Sequence, residues 1–396
     1  MGDPIRFSQR EIGQSQKPDK APKLLFVVTE DWYFCSHRLP IAKEARRQGF
    51  EVVVATRVYR HGDVIAGEGC KLIPLNMNRG SLKFWKELSA LRELIHIYRA
   101  EKPDIVHHVA MKPVIYGSTA AWITRIPYVI NALAGMGYVF ASEDLKARIV
   151  RFGIVRVLGM LFKRNCSRLI LQNTDDVELL TRARIVRSRD VALIRGSGVD
   201  TEVFRPTAET EGIPTVVLIS RMLSDKGVGE FVEAARLLKT QGVEARFVLI
   251  GDTDSHNPAA IEKQQLAAWH NEGVIEWWGR RDDIPEVLAR SHIVCLPSYR
   301  EGLPKVLLEA ASCARPIVTT DTNGCREIVR HGENGFLVPI RRVFELADAL
   351  KRLIDNPQMR RDMGSKGREM VVREFGVQKV VAETLSVYQE LLEQPE

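Results

Sequence analysis

Two glutamates with seven residues between them lie around a predicted helix start, and they are the side chains of this chain best placed to bind a polar ligand. Glu301 precedes the helix and Glu309 falls on its second turn. A short apolar run, residues 291–296, comes before them and is predicted to be a strand. Because the two carboxylates are not stacked neighbours on the helix, we expect them to contact different parts of one ligand, such as one that carries a vicinal diol.

The helix start itself is suited to an anion. Pro304 is predicted to be the first helical residue, a position that does not need the missing N–H of proline. The unpaired amides from Lys305 onward, together with the helix dipole, predict a site for a group such as a phosphate.

A simpler interpretation of Glu309 is a solvated helix residue paired with Lys305, four positions earlier. The neighbours of Glu309 argue against it, because a helix that is apolar nearly all round is buried and a buried carboxylate needs partners. These neighbours are Val306, Leu307, Leu308, Ala310 and Ala311.

Two cations follow another predicted strand, residues 215–219. The turn Ser220 to Gly227 contains Arg221 and Lys226, which suit a diphosphate because arginine offers a planar fork and lysine a point charge. Such cations also stabilise the charge that a leaving nucleoside diphosphate develops. An ordinary solvated basic loop is the alternative.

Strand and helix patterns alternate along the whole chain, which predicts an α/β fold with parallel sheets. The cycle restarts at Thr215, after a stretch from Pro206 to Pro214 that we interpret as an interdomain linker. Ligands of such sheets bind beyond the carboxyl ends of the strands, so facing domains would share a cleft. The expected units are a disordered extension (1–22), an N-terminal Rossmann-like domain (23–205), a C-terminal Rossmann-like domain (206–375) and a C-terminal helix returning to the first domain (376–396).

Composition indicates a globular protein of two or more domains, with 396 residues, 45% hydrophobic and 27% charged. Residues 1–22 are polar and lack the apolar core of a secretion signal, and no run approaches the ~20 apolar residues of a membrane span. The six cysteines form no C-x-x-C pair, which is typical of a reducing compartment. We therefore expect a cytoplasmic protein.

The net charge of +7 allows nucleic acid, anionic lipid or phosphate-bearing substrates as partners. Basic residues between 146 and 168, mixed with large apolar ones, predict either a helix on an anionic membrane surface or a core helix with snorkelling arginines. No nucleic-acid-binding pattern accompanies them, so we expect no nucleic acid. These basic residues are Lys146, Arg148, Arg151, Arg156, Lys163, Arg164 and Arg168.

Taken together, these motifs resemble the family 4 retaining glycosyltransferases of GT-B architecture, from residue 23 to the C-terminus. The likeness extends to the bacterial branch that acts on polyprenyl-diphosphate-linked saccharides. The motifs that carry it are Trp32-Tyr-Phe, His37 to Ile41, Ile126-Pro-Tyr128, Gly135-Met-Gly137, Arg221 with Lys226, Ile250-Gly-Asp252, Trp278 to Asp283 and Pro297 to Cys313.

The resemblance implies a retaining hexosyltransferase that uses a UDP-sugar and no cofactor. Glu309 would bind the ribose hydroxyls and Glu301 a hydroxyl of the donor sugar, while Arg221 and Lys226 would hold the diphosphate. The donor side would also include Gly302, Leu303, Lys305, Val306 and a turn under the base with Gly279, Arg281 and Asp283. Where the family often has Glu-Gly-x-Gly, this chain has Pro304, so the amides of Lys305 and Val306 must supply the phosphate donors.

On the first domain, the resemblance implies a site histidine after a strand. His107 and His108 are the candidates, although the family often places this residue two positions after the first of them, where this chain has Val109. A satisfied structural histidine is the alternative. Lys112 could assist a phosphate, and Tyr33, His37 and Arg38 are expected on the acceptor side.

Asp252-Thr-Asp254 matches the D-x-D metal motif of other glycosyltransferases, but cations already neutralise the leaving group here, so we expect no metal. No G-x-G-x-x-G follows the first strand, which argues against a dehydrogenase. Two other functions remain open, a sugar-nucleotide epimerase of similar fold and a membrane-surface binding module. A glycoside hydrolase would leave the cations unexplained.

Overall fold

The structure, a computed structural model, describes residues 21–77, 84–133, 145–162, 166–254 and 257–393. It contains two parallel β-sheets, one built from each half of the chain. The extension expected at residues 1–22 lies outside the described residues except for its last two positions, and Gly135-Met-Gly137 lies outside them as well.

The first sheet has seven described strands in the order β3-β2-β1-β4-β5-β6-β7, all parallel. Its strands are β1 (Lys23–Glu30), β2 (Glu51–Arg57), β3 (Lys71–Pro74), β4 (Ile105–Val109), β5 (Tyr128–Leu133), β6 (Ser167–Leu171) and β7 (Val191–Leu193). Its helices are α1 (Asp31–His37), α2 (Leu39–Arg47), α3 (Gly62–Gly67), α4 (Phe84–Glu101), α5 (Met111–Thr124), α6 (Leu145–Phe162) and α7 (Thr174–Arg182).

The second sheet has six described strands in the order β10-β9-β8-β11-β12-β13, again parallel. They are β8 (Thr215–Ile219), β9 (Arg246–Ile250), β10 (Glu276–Trp277), β11 (Ile293–Leu296), β12 (Ile317–Thr320) and β13 (Gly335–Val338). The accompanying helices are α8 (Val228–Thr240), α9 (Lys263–Asn271), α10 (Ile284–Ala289), α11 (Lys305–Ser312), α12 (Asn323–Arg326), α13 (Val343–Ile354), α14 (Pro357–Glu374) and α15 (Val377–Leu392).

Both faces of each sheet are covered, which explains why the strands are apolar without alternation. In β1, Phe26 packs into the core on one face of the first sheet, while Val27 packs into the core on the other. Val216 and Val217 divide in the same way between the two faces of the second sheet. The sheet topology thus confirms the prediction of two doubly wound α/β domains.

Each sheet reverses its strand order once. The first does so between β1 and β4, and the second between β8 and β11. At such a switch point the loops at the carboxyl ends diverge and leave a crevice, where ligands of this fold bind. The predicted site residues after β1, β4, β8 and β11 therefore belong to the two crevices of the molecule.

The chain passes between the domains at two adjacent places. Val199 pairs with the Gly376 region, through bonds from its N–H to the Phe375 carbonyl and from the Val377 N–H to its own carbonyl, both 3.0 Å. After this crossing, α15 packs into the core of the first domain. The stretch 206–214 lies against the second domain, where Glu209 pairs with a buried arginine of α14.

Candidate functional site

The turn after β8 and the loop after β11 meet at the switch point of the second sheet. Arg221 and Lys226 lie in the turn, and Glu301 lies in the loop. The Tyr299 N–H donates to the carbonyl of Asp225 at 2.9 Å, which joins the two segments directly. The structure thus brings together Lys226 and Glu301, which are 75 positions apart in the sequence.

Lys226 and Glu301 form an ion pair in this crevice. The lysine Nζ lies 2.6 Å from Oε1 of the glutamate, and the two side chains are only 17% and 13% exposed. Gly227 allows the turn after β8 to lie close to Pro297 in the loop after β11. Its φ is +72°, and a Cβ there would lie 2.1 Å from the Pro297 carbonyl oxygen. Partial burial strengthens the interaction of both charges with a polar ligand.

Arg221 is also paired. Its Nη1 lies 2.8 Å from Oδ2 of Asp254, and Lys263 lies 3.6 Å from Asp252. Both acids of the D-x-D motif are therefore next to cations. Within the described ranges, no group of three or more His, Cys, Asp or Glu side chains could hold a metal ion. That the reaction needs no metal stays a prediction.

The helix after Glu301 begins one residue later than predicted. Pro304 is the cap residue, with extended backbone (φ −73°, ψ 110°), and α11 starts at Lys305. The Leu307 N–H donates to the Pro304 carbonyl at 3.0 Å. The proline lies outside the first turn because its own ψ of 110° is extended and not helical. The amides of Lys305 and Val306 thus open the helix.

Glu309 lies on the same helix, with its side chain 12% exposed. Its Oε1 is 3.5 Å from Nζ of Lys305, so the pair weighed from the sequence is present. Burial raises the pKa of Glu309, and the nearby ammonium only partly offsets this effect. The expectation of a helix buried nearly all round also agrees with the structure, since Leu307 and Leu308 are buried.

The other donor-side residues line the same edge. Leu303 and Val306 pack on a hydrophobic core of the second domain. The Gly279 carbonyl accepts from the Gly251 N–H at 2.8 Å. Arg281 Nε lies 2.7 Å from Oδ1 of Asp283.

The hydrogen bond from Arg281 lowers the pKa of Asp283. This turn, residues 279–283, follows β10, which is the outermost strand on one side of the second sheet.

On the first domain, Tyr33 and His37 lie in α1, directly after β1. Their rings stack at 4.0 Å with an interplanar angle of 5°. Burial lowers the pKa of His37 to about 3, and the charges of Lys305 and Arg38 add to the effect. His37 is therefore neutral at physiological pH.

Arg38 is 3% exposed, and its Nη1 donates to the His37 carbonyl at 3.3 Å. No carboxylate of the described residues lies within ion-pair distance of it, and its Nε has no hydrogen-bond partner among those residues. A buried guanidinium with so few partners can donate to an anion or a hydroxyl.

The two candidate histidines are core residues, which corrects the expectation that one of them faces the cleft. β4 continues past both of them, so their side chains point to opposite faces of the sheet. His107 Nδ1 is 2.6 Å from Oη of Tyr388, and His108 is 2.7 Å from Oη of Tyr98 and 2.8 Å from Oδ1 of Asn131.

Both histidines are at most 1% exposed. Burial lowers the pKa of His107 well below its usual range and that of His108 to about 4. Each imidazole is hydrogen-bonded in the core, although Nε2 of His107 has no partner among the described residues. Lys112, at the start of α5, forms an ion pair with Glu87 at 2.8 Å.

Three residues that the sequence did not single out connect the domains, namely Ser36, Asn173 and Asp176. Oγ of Ser36 lies 3.0 Å from Nζ of Lys305, and Asn173 Nδ2 donates to the Gly302 carbonyl at 3.0 Å. Asp176 lies 3.8 Å from the guanidinium of Arg300. Asn173 carried a signal, because an asparagine before Thr-Asp-Asp is typical of a helix cap. Its second partner could not be predicted from local sequence.

The basic segment is only partly described. Arg156 is exposed on α6, but Arg168 lies on β6 and its guanidinium is 3.9 Å from Asp190. Arg168 therefore does not belong to the predicted amphipathic helix. In the part of the chain that the structure describes, no helix has the length and apolar character needed to cross a membrane.

Two doubly wound domains whose crevices face each other define the GT-B class of glycosyltransferases. Residues 23–173 match the family model of glycosyl transferase 4-like proteins, and residues 199–370 match that of glycosyl transferases group 1. The chain belongs to these glycosyltransferase families, and it is a hexosyltransferase.

Relatives agree with this assignment. The chain is 27% identical, over 84% of its length and 89% of the relative, to N,N'-diacetylbacillosaminyl-diphospho-undecaprenol alpha-1,3-N-acetylgalactosaminyltransferase of Campylobacter jejuni. It is also 27% identical, over 76% of its length and 79% of the relative, to UDP-Gal:alpha-D-GlcNAc-diphosphoundecaprenol alpha-1,3-galactosyltransferase of Escherichia coli. The structure of Anabaena HepE in complex with UDP superimposes with a TM-score of 0.73 at 21% identity, covering 92% of this chain and 99% of that one.

Proposed function

We propose that this glycosyltransferase moves a hexose or N-acetylhexosamine, with retention, from a UDP-sugar to a hydroxyl of a polyprenyl-diphosphate-linked saccharide in surface polysaccharide or glycan assembly. The names of the two bacterial relatives support the acceptor class, and one of them names a UDP-sugar donor. The observation that carries the proposal is the Lys226–Glu301 pair at the switch point of the second sheet.

Lys226 and Arg221 would hold the two phosphoryl groups of the donor. Each is paired with a carboxylate in the present structure, Glu301 and Asp254 respectively. A diphosphate that entered the crevice would share or displace these carboxylates, because it offers more acceptor oxygens and a higher charge. As the glycosidic bond breaks, negative charge accumulates on the leaving UDP, where the two cations stabilise it.

The glutamates would bind hydroxyl groups. Glu301 is held next to Lys226, so a donor sugar attached to the diphosphate would lie within its reach. Glu309, one helix turn after the first amide of α11, would accept hydrogen bonds from the ribose. The backbone of residues 279–283 would then lie under the uracil base.

The acceptor would enter from the first domain. The stacked rings of Tyr33 and His37 offer a flat surface to a sugar ring, and Arg38 offers N–H donors. Because His107 and His108 are buried and hydrogen-bonded, we propose that they act only by holding β4 in place. Lys112 would act on a phosphate only after release from Glu87.

A membrane-bound acceptor calls for a membrane-facing surface, and we propose that α4, α5 and α6 provide it on the cytoplasmic face of the plasma membrane. These helices present large exposed apolar side chains, namely Trp85 (77% exposed), Trp122 (61%) and Met160 (68%). Arg156 adds positive charge. Interfacial tryptophan with nearby arginine is typical of proteins that lie on anionic lipid.

Vesicle flotation tests the membrane surface. We expect binding to vesicles with anionic lipid, weakened in the Trp85→Ser, Met160→Ser double variant and by high salt. The matched control is Phe344→Ser, which changes an exposed apolar residue on the second domain. Equal binding of both variants and the unchanged chain would contradict this surface.

The central experiment for the reaction is a transfer assay. Purified protein is incubated with a panel of UDP-sugars and a short polyprenyl-diphosphate saccharide, and the product is analysed for mass and anomeric configuration. We expect one donor to raise the melting temperature and to yield a product with retained configuration. Conversion of the donor to another UDP-sugar without any acceptor would instead favour an epimerase.

A further inference from the structure

Asn173 makes more hydrogen bonds than a helix cap requires. It lies after β6 and precedes α7, fully buried, and its Oδ1 accepts from the Asp176 N–H at 2.8 Å. That bond alone would satisfy the helix end, and serine or aspartate could make it equally well. The Nδ2 group has a different use, because it donates to Asp176 Oδ2 and to the Gly302 carbonyl, both at 3.0 Å.

The carbonyl that Asn173 reaches belongs to the other domain and directly follows Glu301. The Glu301 carbonyl accepts from the Gly324 N–H at 3.3 Å. Gly324 must be a glycine, because a Cβ there would lie 2.3 Å from the Gly302 oxygen. Two successive carbonyls of this loop are therefore held, that of Glu301 by α12 from its own domain and that of Gly302 by Asn173 from the other.

The residue before Glu301 is held from the same helix. Asp176 is 3% exposed, and its Oδ1 lies 3.8 Å from the guanidinium of Arg300. The other oxygen, Oδ2, accepts from Asn173, which fixes the direction of the amide. The start of α7 thus contacts both neighbours of Glu301, the side chain of Arg300 and the backbone carbonyl of Gly302.

We propose that Asn173 is a positioning residue for the donor-sugar site. Its amide N–H fixes the Gly302 carbonyl, and the orientation of Glu301 follows from that bond. Because the donor and the acceptor of this hydrogen bond lie in different domains, the bond forms only when the domains approach as they do here. The bond is present in this approach of the two domains, and a small misplacement of Glu301 after its loss would lower turnover without removing the groups proposed to bind UDP.

The test uses Asn173→Ser, which keeps a capping oxygen but is too short to reach Gly302. We expect kcat to fall by about tenfold, the loss of one hydrogen bond in the transition state, while UDP affinity measured by calorimetry stays within about twofold. Asn173→Asp also keeps the cap, but it turns a carboxylate toward the Gly302 oxygen, so we expect a larger fall. The matched control is Asp175→Asn, which removes an exposed interdomain pair with Arg326 at 3.4 Å and should leave kcat unchanged.

Hydrogen exchange gives a second result that does not depend on activity. In Asn173→Ser, amides of residues 299–303 should exchange faster than in the unchanged chain, with the exchange of β6 unaltered. Unchanged exchange together with unchanged kcat would overturn the proposal. The proposal rests on the proposed role of Glu301, and Glu301→Gln separates the two. If that variant keeps full activity, the role of Glu301 fails, even if Asn173→Ser loosens the loop.

Discussion

Nζ of Lys226 lies 2.6 Å from Oε1 of Glu301, although the two residues belong to different loops of the second sheet. Each loop follows a strand next to the switch point, so the pair is a direct product of the strand order. A cation and a carboxylate held together and largely buried in this crevice can bind a ligand that carries both phosphate oxygens and hydroxyl groups.

Lys226→Ala should lower kcat by a factor that corresponds to about 2–3 kcal/mol of transition-state stabilisation, because the charge on the leaving diphosphate loses its ammonium partner. Steady-state transfer kinetics measure the effect. Lys351→Ala serves as the control, since Lys351 forms an exposed pair with Asp355 on α13. Unchanged kinetics in Lys226→Ala would refute the assignment.

Glu309→Gln should weaken UDP binding and also stabilise the folded chain at neutral pH. Burial raises the pKa of Glu309 above its usual value of 4.5, so the folded state holds this proton to a higher pH than the unfolded state does. Ionised Glu309 therefore costs stability above its folded pKa, and the cost is absent below about pH 4. We expect calorimetric UDP affinity to fall in the variant.

Denaturant unfolding of the same variant checks the pH dependence. The variant should be the more stable protein at pH 7, with the difference shrinking as the pH falls. Glu345→Gln, an exposed change on α13, should alter neither affinity nor stability. Equal UDP affinity in Glu309→Gln and the unchanged chain would remove Glu309 from the binding site.

His108→Ala should destabilise the protein by about 1–3 kcal/mol, because the buried Tyr98 hydroxyl loses its partner and Asn131 Oδ1 keeps only the Ser118 hydroxyl. Burial lowers the pKa of His108 to about 4, so the unfolded chain takes up the proton first as the pH falls. The stability from neutral His108 is fully present above about pH 6.5 and is lost down to about pH 4.

Unfolding measured at pH 7 and pH 5 tests this expectation. The loss of stability between these values should be smaller in His108→Gln than in the unchanged chain. Part of the loss should remain, because His107 and His37 also have a lowered pKa. An identical loss in the two proteins would contradict the structural role of His108.

The fold class could be predicted from the sequence, because the spacing of apolar residues and the positions of turn residues determine helices and strands locally. The apolar pattern of the sequence predicts helices over 228–240, 284–289 and 377–392, and α8, α10 and α15 have these bounds. Boundaries that depend on tertiary contacts are less predictable. The sequence pattern predicts a helix over 259–271, but α9 starts at Lys263. The intervening residues pair instead with the turn after β8, through the bridge between Leu223 and Ala260.

The site was predictable to the level of which strand end carries each residue. Side-chain contacts between the two domains were not predictable, because they depend on how the domains pack against each other. His107 and His108 illustrate this limit, since β4 continues through both of them to Val109 and their rings lie in the core. Asn173 illustrates it again, because its cap role is local and its bond to Gly302 is not.

A crystal structure of the protein with bound UDP tests the central claim most directly. The account predicts that the diphosphate lies within hydrogen-bond distance of Arg221 and Lys226, with the ribose hydroxyls at Glu309. UDP bound elsewhere, away from the loops after β8 and β11, would contradict it.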